Sequence, residues 1–146
     1  MAALNYEHCS EITKQPQLPL DDKGAKLTIN NPDRIPLNKI TVDGCLITDH
    51  RSRCDFIVEI PSTNRAIFVE LKGCDVDKAI KQISATIGHT KSRFGQHKKT
   101  ACIASSRVPK NDSRIDRLRK KLFKEHSALL ETKKRKGDTL DINKLR

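Results

Sequence analysis

Cys54-Asp55-Phe56-Ile57-Val58-Glu59-Ile60-Pro61-Ser62-Thr63-Asn64-Arg65-Ala66-Ile67-Phe68-Val69-Glu70-Leu71-Lys72-Gly73 is the stretch that decides how this chain folds. It holds two short apolar runs, 56–60 and 66–72, rich in β-branched and aromatic residues. Pro61-Ser62-Thr63-Asn64-Arg65 separates them, and turn residues between two such runs predict a β-hairpin. Side chains alternate along a strand, so Phe68, Glu70 and Lys72 share one face and Ile67, Val69 and Leu71 the other. A carboxylate and an amine at the end of an otherwise apolar strand are costly if buried without partners. Asp55, on the neighbouring strand, brings a second carboxylate toward the same pocket. Two carboxylates and a lysine can hold a divalent cation and act on a phosphodiester.

Outward from this hairpin, Ile40-Thr41-Val42-Asp43-Gly44-Cys45-Leu46-Ile47 reads as the first core strand, with Gly44 permitting a bulge. Residues 49–53 form a polar turn. Asp75 is a good N-cap for a helix running to about Ile87, in which Val76, Ala79, Ile80, Ile83 and Ile87 recur at helical spacing. Residues 100–106 give a fourth strand, closed by Val108-Pro109. Asn111 or Asp112 caps a second long helix whose buried stripe is Ile115, Leu118, Leu122, Phe123 and Leu129. Lys133-Lys134-Arg135-Lys136-Gly137 is a basic turn, and 139–142 a last short strand. Before the core, Leu4, His8 and Ile12 space out a short helix over 3–13. Pro16, Pro19, Asp21, Asp22 and Gly24 then break regular structure, and 26–30 adds an edge strand. The expected class is α/β, with a mixed central sheet flanked by helices. An antiparallel meander is followed by a parallel strand through a crossover helix. One domain, 1–146, is expected: a poorly patterned 1–35, a core over 40–106, and a basic helix and turn over 111–136.

The spacing Asp-x14-Glu-x-Lys formed by Asp55, Glu70 and Lys72 resembles the PD-(D/E)XK nuclease superfamily, the restriction-endonuclease-like fold. The match covers roughly 40–106 and includes Gln82 on the helix after the Glu-x-Lys strand. Cys54 stands where many members have proline. The resemblance implies catalysis by Asp55, Glu70, Lys72 and Gln82. It also implies Mg²⁺ or Mn²⁺ on Asp55, Glu70 and the Leu71 carbonyl, with Lys72 orienting or deprotonating the attacking water. Asp43 and the helical Glu11 are possible additional ligands. Glu59 shares strand parity with Asp55 but lies farther along. His89 and His97 sit in a polar basic loop and read as solvent- or phosphate-facing, while Ser105 and Ser106 lack the setting of a serine nucleophile.

The charge is +11, and from Lys81 to Lys136 the only acids are Asp112, Asp116, Glu125 and Glu131. A basic half beside an acidic pocket suits a polyanion held by its phosphates, DNA more than RNA. Arg114, Arg117, Lys121, Lys124, Lys133, Lys134, Arg135 and Lys136 are the expected contacts. A homodimer, or a subunit of a larger complex, is the expected assembly. The competing reading is a catalytically inactive nuclease-like module that binds nucleic acid, or a basic scaffold for an acidic partner. No run approaches the ~20 apolar residues of a membrane span, and the N-terminus lacks a signal-peptide pattern. Five cysteines without a Cys-x-x-Cys pair read as reduced core thiols of a cytoplasmic protein.

Overall fold

Asn64, in the left-handed conformation at φ +55°, turns the chain between the two apolar runs, which pair as the expected hairpin. The computed structural model describes residues 4–71, 75–106, 113–134 and 136–146. In chain order the elements are helix α1 (Tyr6–Cys9) and strands β1 (Ser10–Thr13), β2 (Gln17–Asp22), β3 (Ala25–Asn30), β4 (Leu37–Thr41), β5 (Phe56–Ile60) and β6 (Arg65–Leu71). Helices α2 (Val76–His89) and α3 (Lys91–Phe94), strand β7 (Lys98–Ser105), helix α4 (Ser113–His126) and strands β8 (Ala128–Lys134) and β9 (Asp138–Asp141) follow.

Six strands form a mixed sheet in the order β1-β4-β5-β6-β7-β8. β4, β5 and β6 are antiparallel, with Ile57 opposite Phe68. β7 lies parallel to β6 after the crossover through α2, and β8 lies parallel to β7. Ile103 is therefore beside Glu70, and Lys133 lies two strands from Leu71 across Ala104. The helix over 75–87, the meander and the parallel strand all match the sequence expectation. The first core strand covers Leu37–Thr41 rather than 40–47. From Val42 the chain folds into a turn, closed by the Ile47 amide donating to the Val42 carbonyl at 2.9 Å.

Both faces of the central strands are covered, which is why they read as nearly continuous apolar runs. On one face Ile57, Phe68, Ala101 and Ile103 pack under Ala79, Ile80 and Ile83 of α2 and Leu122 of α4. On the other, Val58, Ile67, Val69 and Cys102 pack against Leu18, Leu20, Leu27 and Ile29 of a second sheet, ordered β2-β3-β9. That sheet is the main departure from expectation. Leu18/Leu20 and Leu27/Ile29 alternate as half-buried strands must, and Lys23 and Gly24 take φ of +51° and +90°, the two left-handed residues of a tight hairpin turn. Residues expected to interrupt the chain thus make its second hairpin.

The N-terminal helix is also shorter than expected. Only Tyr6–Cys9 is helical, and Glu11 and Ile12 lie on β1, with Ile12 74% exposed. Leu4, Tyr6 and Cys9 turn toward the core while His8 and Ile12 are exposed, so the spacing of Leu4, His8 and Ile12 marked no single helix face. At the other end, Ile115 and Leu122 are buried as expected, Phe123 is 55% exposed, and Leu129 belongs to β8. Ser127, at φ +55°, stops α4 before it. Lys133 and Lys134, read as the start of a basic turn, are the last residues of β8. The capping residues Asn111 and Asp112, and Val108-Pro109, lie outside the described residues.

Cys9 and Cys45 form a disulfide, correcting the reading of reduced thiols. Antiparallel pairing of β1 with β4 brings Cys9 to the turn after β4, a proximity that an odd cysteine count conceals. Cys54 and Cys102 are buried thiols, and Cys74 lies outside the described residues. Closing a loop with a sequence separation of 36 restricts the unfolded chain by about 3–4 kcal/mol. Denaturant titration should show that much stability lost in the double variant Cys9→Ala/Cys45→Ala. Equal stability of the variant and the parent would mean that the bond contributes nothing.

Candidate metal centre

Asp55 enters β5 on the helix-covered face, and continuing the β5–β6 register places it opposite Glu70. Both are 8% exposed. The Leu71 amide donates to Asp55 Oδ2 at 2.7 Å, and the Asp55 amide donates to the Val69 carbonyl at 3.0 Å, so the strands themselves aim this carboxylate. Each carboxyl acts electrostatically on the other across the two strands. Glu70 Oε1 is buried with no hydrogen-bond partner among the described residues.

Two further carboxylates arrive from outside the hairpin. Asp43 sits in the turn after β4, whose Val42 and Asp43 amides both donate to the Asp55 carbonyl at 3.0 and 3.3 Å. Gly44 takes φ +81° to let that turn close. Asp22 is the last residue of β2. Asp22, Asp43 and Asp55 each bring a carboxylate oxygen to within 4.8 Å of the others. Helix α2 fixes the approach to Asp55 from above. Thr86 Oγ1 accepts from the Cys54 amide at 2.8 Å, and Gln82 Nε2 donates to the Arg53 carbonyl at 3.2 Å.

Burial, and then the neighbouring carboxylates, push Glu70 well above the ordinary carboxylate range; burial likewise raises Asp55. Cys54, fully buried beside them, is pushed up to about 12 and is no nucleophile. An all-oxygen set of crowded acids with one orphaned buried oxygen fits a hard divalent cation, which would replace the protons that the cluster otherwise retains.

A cleft of about 450 Å³ opens over the cluster, with Asp43 and Asp55 on its wall and Arg51, Arg53, Lys78, Lys81 and Gln82 around it. Arg53 Nε pairs with Asp43 at 3.0 Å and Arg51 Nε with Asp49 at 2.9 Å. Lys78 and Lys81 are exposed on α2.

The structure brings together Asp55, Glu70, Asp43 and Gln82 from the sequence reading. Lys72 lies outside the described residues, directly after Leu71. Glu11 is exposed on β1, opposite Lys39, and takes no part in the cluster. Glu59 faces the same side as Asp55 but is held by Asn38, Arg93 and His97, the last at 2.9 Å. His89 ends α2, and Ser105 is buried at the end of β7. Of the expected phosphate contacts, Arg114 is paired with Asp77, and Lys121 borders a groove shared with Lys81. Arg117, Lys124, Lys134 and Lys136 are exposed, Lys133 is half-buried, and Arg135 lies outside the described residues.

Sequence reasoning missed Asp22 and the cations around the cleft. Lys78, Lys81 and Gln82 fall at i, i+3 and i+4, one helical face, and that spacing was available to find them. The chain matches no protein-family model, no characterised protein and no solved structure.

The raised carboxyls fix the sign of a pH effect. Below the ordinary carboxylate range the folded and unfolded chains are both protonated, and the cluster costs nothing. Between the ordinary carboxylate range and the raised values the unfolded chain gives up protons that the folded cluster keeps, so metal-free stability falls across that window as pH rises and levels off above it. Glu70→Gln should therefore raise metal-free stability at pH 8 by on the order of 1 kcal/mol. Mn²⁺ should raise the melting temperature of the parent, and the same change should remove most of that rise. An undiminished Mn²⁺ effect in Glu70→Gln would show that Glu70 is not a ligand.

Proposed function

We propose that this chain is a Mg²⁺- or Mn²⁺-dependent nuclease that hydrolyses phosphodiester bonds, DNA in preference to RNA. The observation that carries this reading is the placement of Asp55 opposite Glu70 at adjacent strand ends, with an orphaned buried oxygen and a cleft ringed by cations. Strand order and the position of the carboxylates fit the restriction-endonuclease-like arrangement that the sequence resembles. Acids alone would repel a polyanion, and cations alone would bind it without hydrolysis. Here both line one opening.

Asp55 and Glu70 would hold the cation, the Leu71 carbonyl would be a further ligand, and Asp43 and Asp22 complete a crowded acidic wall. When bound, the cation neutralises phosphate charge and lowers the pKa of a water. Lys72, the next residue in the sequence, is assigned the orienting or deprotonation of that water. Gln82 keeps the Arg53 carbonyl, and through it the Asp55 segment, in place. Lys78 and Lys81 hold the phosphates on either side of the scissile bond.

Nuclease assays with Mg²⁺ or Mn²⁺ on single- and double-stranded DNA and RNA test this reading. Asp55→Ala, Glu70→Ala and Lys72→Ala should each lower cleavage at least 100-fold, roughly the lower end of what one positioned catalytic group supplies. Circular dichroism should show each variant folded. Cleavage that survives both carboxylate changes, or a chelator, would end the proposal.

Binding should also weaken steeply with salt, since each phosphate neutralised contributes about −0.9 to the log–log slope for duplex DNA. Lys78→Ala/Lys81→Ala should make that slope shallower by about 0.9 for each phosphate the two lysines neutralise, while leaving Mn²⁺ stabilisation intact. An unchanged slope would place the phosphates elsewhere, on α4 or on the basic segment that follows it.

A further inference from the structure

A second concave site lies at the opposite end of α2 from the carboxylates. It encloses about 310 Å³ and brings Lys91, Lys99 and His126 together with one acid, Glu125. Lys99 is only 7% exposed, an unusual place for an ammonium. Its Nζ donates to the carbonyls of Gly95 at 3.2 Å and His97 at 3.1 Å, which fix its direction and leave one of its three donors over. Glu125 does little to neutralise the group. Its side chain is 47% exposed, and its carboxylate is 3.9 Å from His126 Nε2. The cations instead act against one another. Burial first, then Lys91, pushes Lys99 below the usual lysine range; burial, Lys99 and Lys91 lower His126 against the pull of Glu125.

We propose that this pocket is a second, metal-independent site that binds a phosphate-type oxyanion through Lys99, Lys91 and His126. A tetrahedral oxyanion offers acceptors to all three groups at once and relieves their mutual repulsion. Lys99, held by carbonyls, is pre-organised for it, whereas Lys91 is exposed and supplies charge at the mouth.

The location allows two sources for the phosphate. Lys99 precedes Ile103, the β7 neighbour of Glu70, by four residues, about 13 Å along the strand. A groove between α2 and α4, with Ser84 and Lys121 on its walls, shares Lys81 with the carboxylate cleft and Glu125 with this pocket. A strand running along that groove would present a backbone or terminal phosphate here, and inorganic phosphate would reach the same groups from solvent.

The test uses histidine NMR titrations of the full chain, with a chelator present throughout so that the outcome does not depend on metal chemistry. His126 is assigned from the signal missing in His126→Gln. Inorganic phosphate, at ionic strength matched with chloride, should raise the His126 pKa by about half a unit or more, since a bound anion favours the imidazolium. Lys91→Ala, an exposed change that spares the fold, should abolish the rise; Lys99→Gln should do the same if its spectrum remains native. A 5′-phosphorylated dinucleotide and its unphosphorylated counterpart separate the sources. A response to the phosphorylated form alone assigns a terminal phosphate, and a response to both assigns the backbone. No response to any of the three probes, or an equal response in Lys91→Ala, overturns the site.

Discussion

Two carboxyl groups pressed together at the ends of two adjacent strands set the terms for the rest of this molecule. Asp55 and Glu70 are each 8% exposed; burial disfavours the ionised form of both, and the neighbouring Asp55 further disfavours that of Glu70. Such a pair persists only where the surrounding structure holds it. The holding is visible on three sides. The Leu71 amide binds Asp55 directly, the turn over 42–47 fixes the Asp55 carbonyl, and Thr86 and Gln82 of α2 grip the two residues before it. Cys45 of that same turn is tied to Cys9, which anchors it to the N-terminal segment. Repulsion between the acids is thus opposed by hydrogen bonds on the backbone rather than by cations alone.

What was legible in the sequence was what local chemistry dictates. Apolar runs bounded by Pro61 and Asn64 gave the hairpin, and Asp75 before an i, i+3, i+4 pattern gave α2. The need for a crossover then gave the parallel β7. Asp55 and Glu70 followed from strand alternation plus the turn length, because antiparallel register is local information. Asp22 did not follow. It reaches the cluster from a different sheet, and nothing in Asp21-Asp22-Lys23-Gly24 distinguishes a turn that interrupts the chain from a turn that closes a hairpin. The disulfide was hidden for the same reason, since only the pairing of β1 with β4 makes Cys9 and Cys45 neighbours.

Charge is the feature that says least about position. The excess of Lys and Arg in the C-terminal half pointed to α4, yet the cations that open onto the carboxylates come from 51–53 and from α2. Net charge over a window records how basic a segment is, not which way it faces. Arg114 illustrates the difference, because its guanidinium is paired with Asp77 and fastens α4 to α2. Lys78 and Lys81 matter more to the cleft although they sit in a less basic stretch.

Helix α2 links the two charged regions in a way its own dipole favours. Residues of its first turns, Lys78, Lys81 and Gln82, border the acidic cleft, and Ile87 and Gly88 of its last turn border the pocket of Lys91, Lys99 and His126. The helix therefore runs with its positive end toward the carboxylate cleft and its negative end toward the cation pocket, the stabilising sense at both. Each interaction is small, about 0.3–1 kcal/mol, and falls off within a turn. The same orientation follows from topology. A helix that crosses between parallel β6 and β7 must run back against them, so its N-terminus comes to the strand ends where Glu70 lies. The acidic cluster and the cation pocket occupy opposite ends of one element because the crossover fixes its direction.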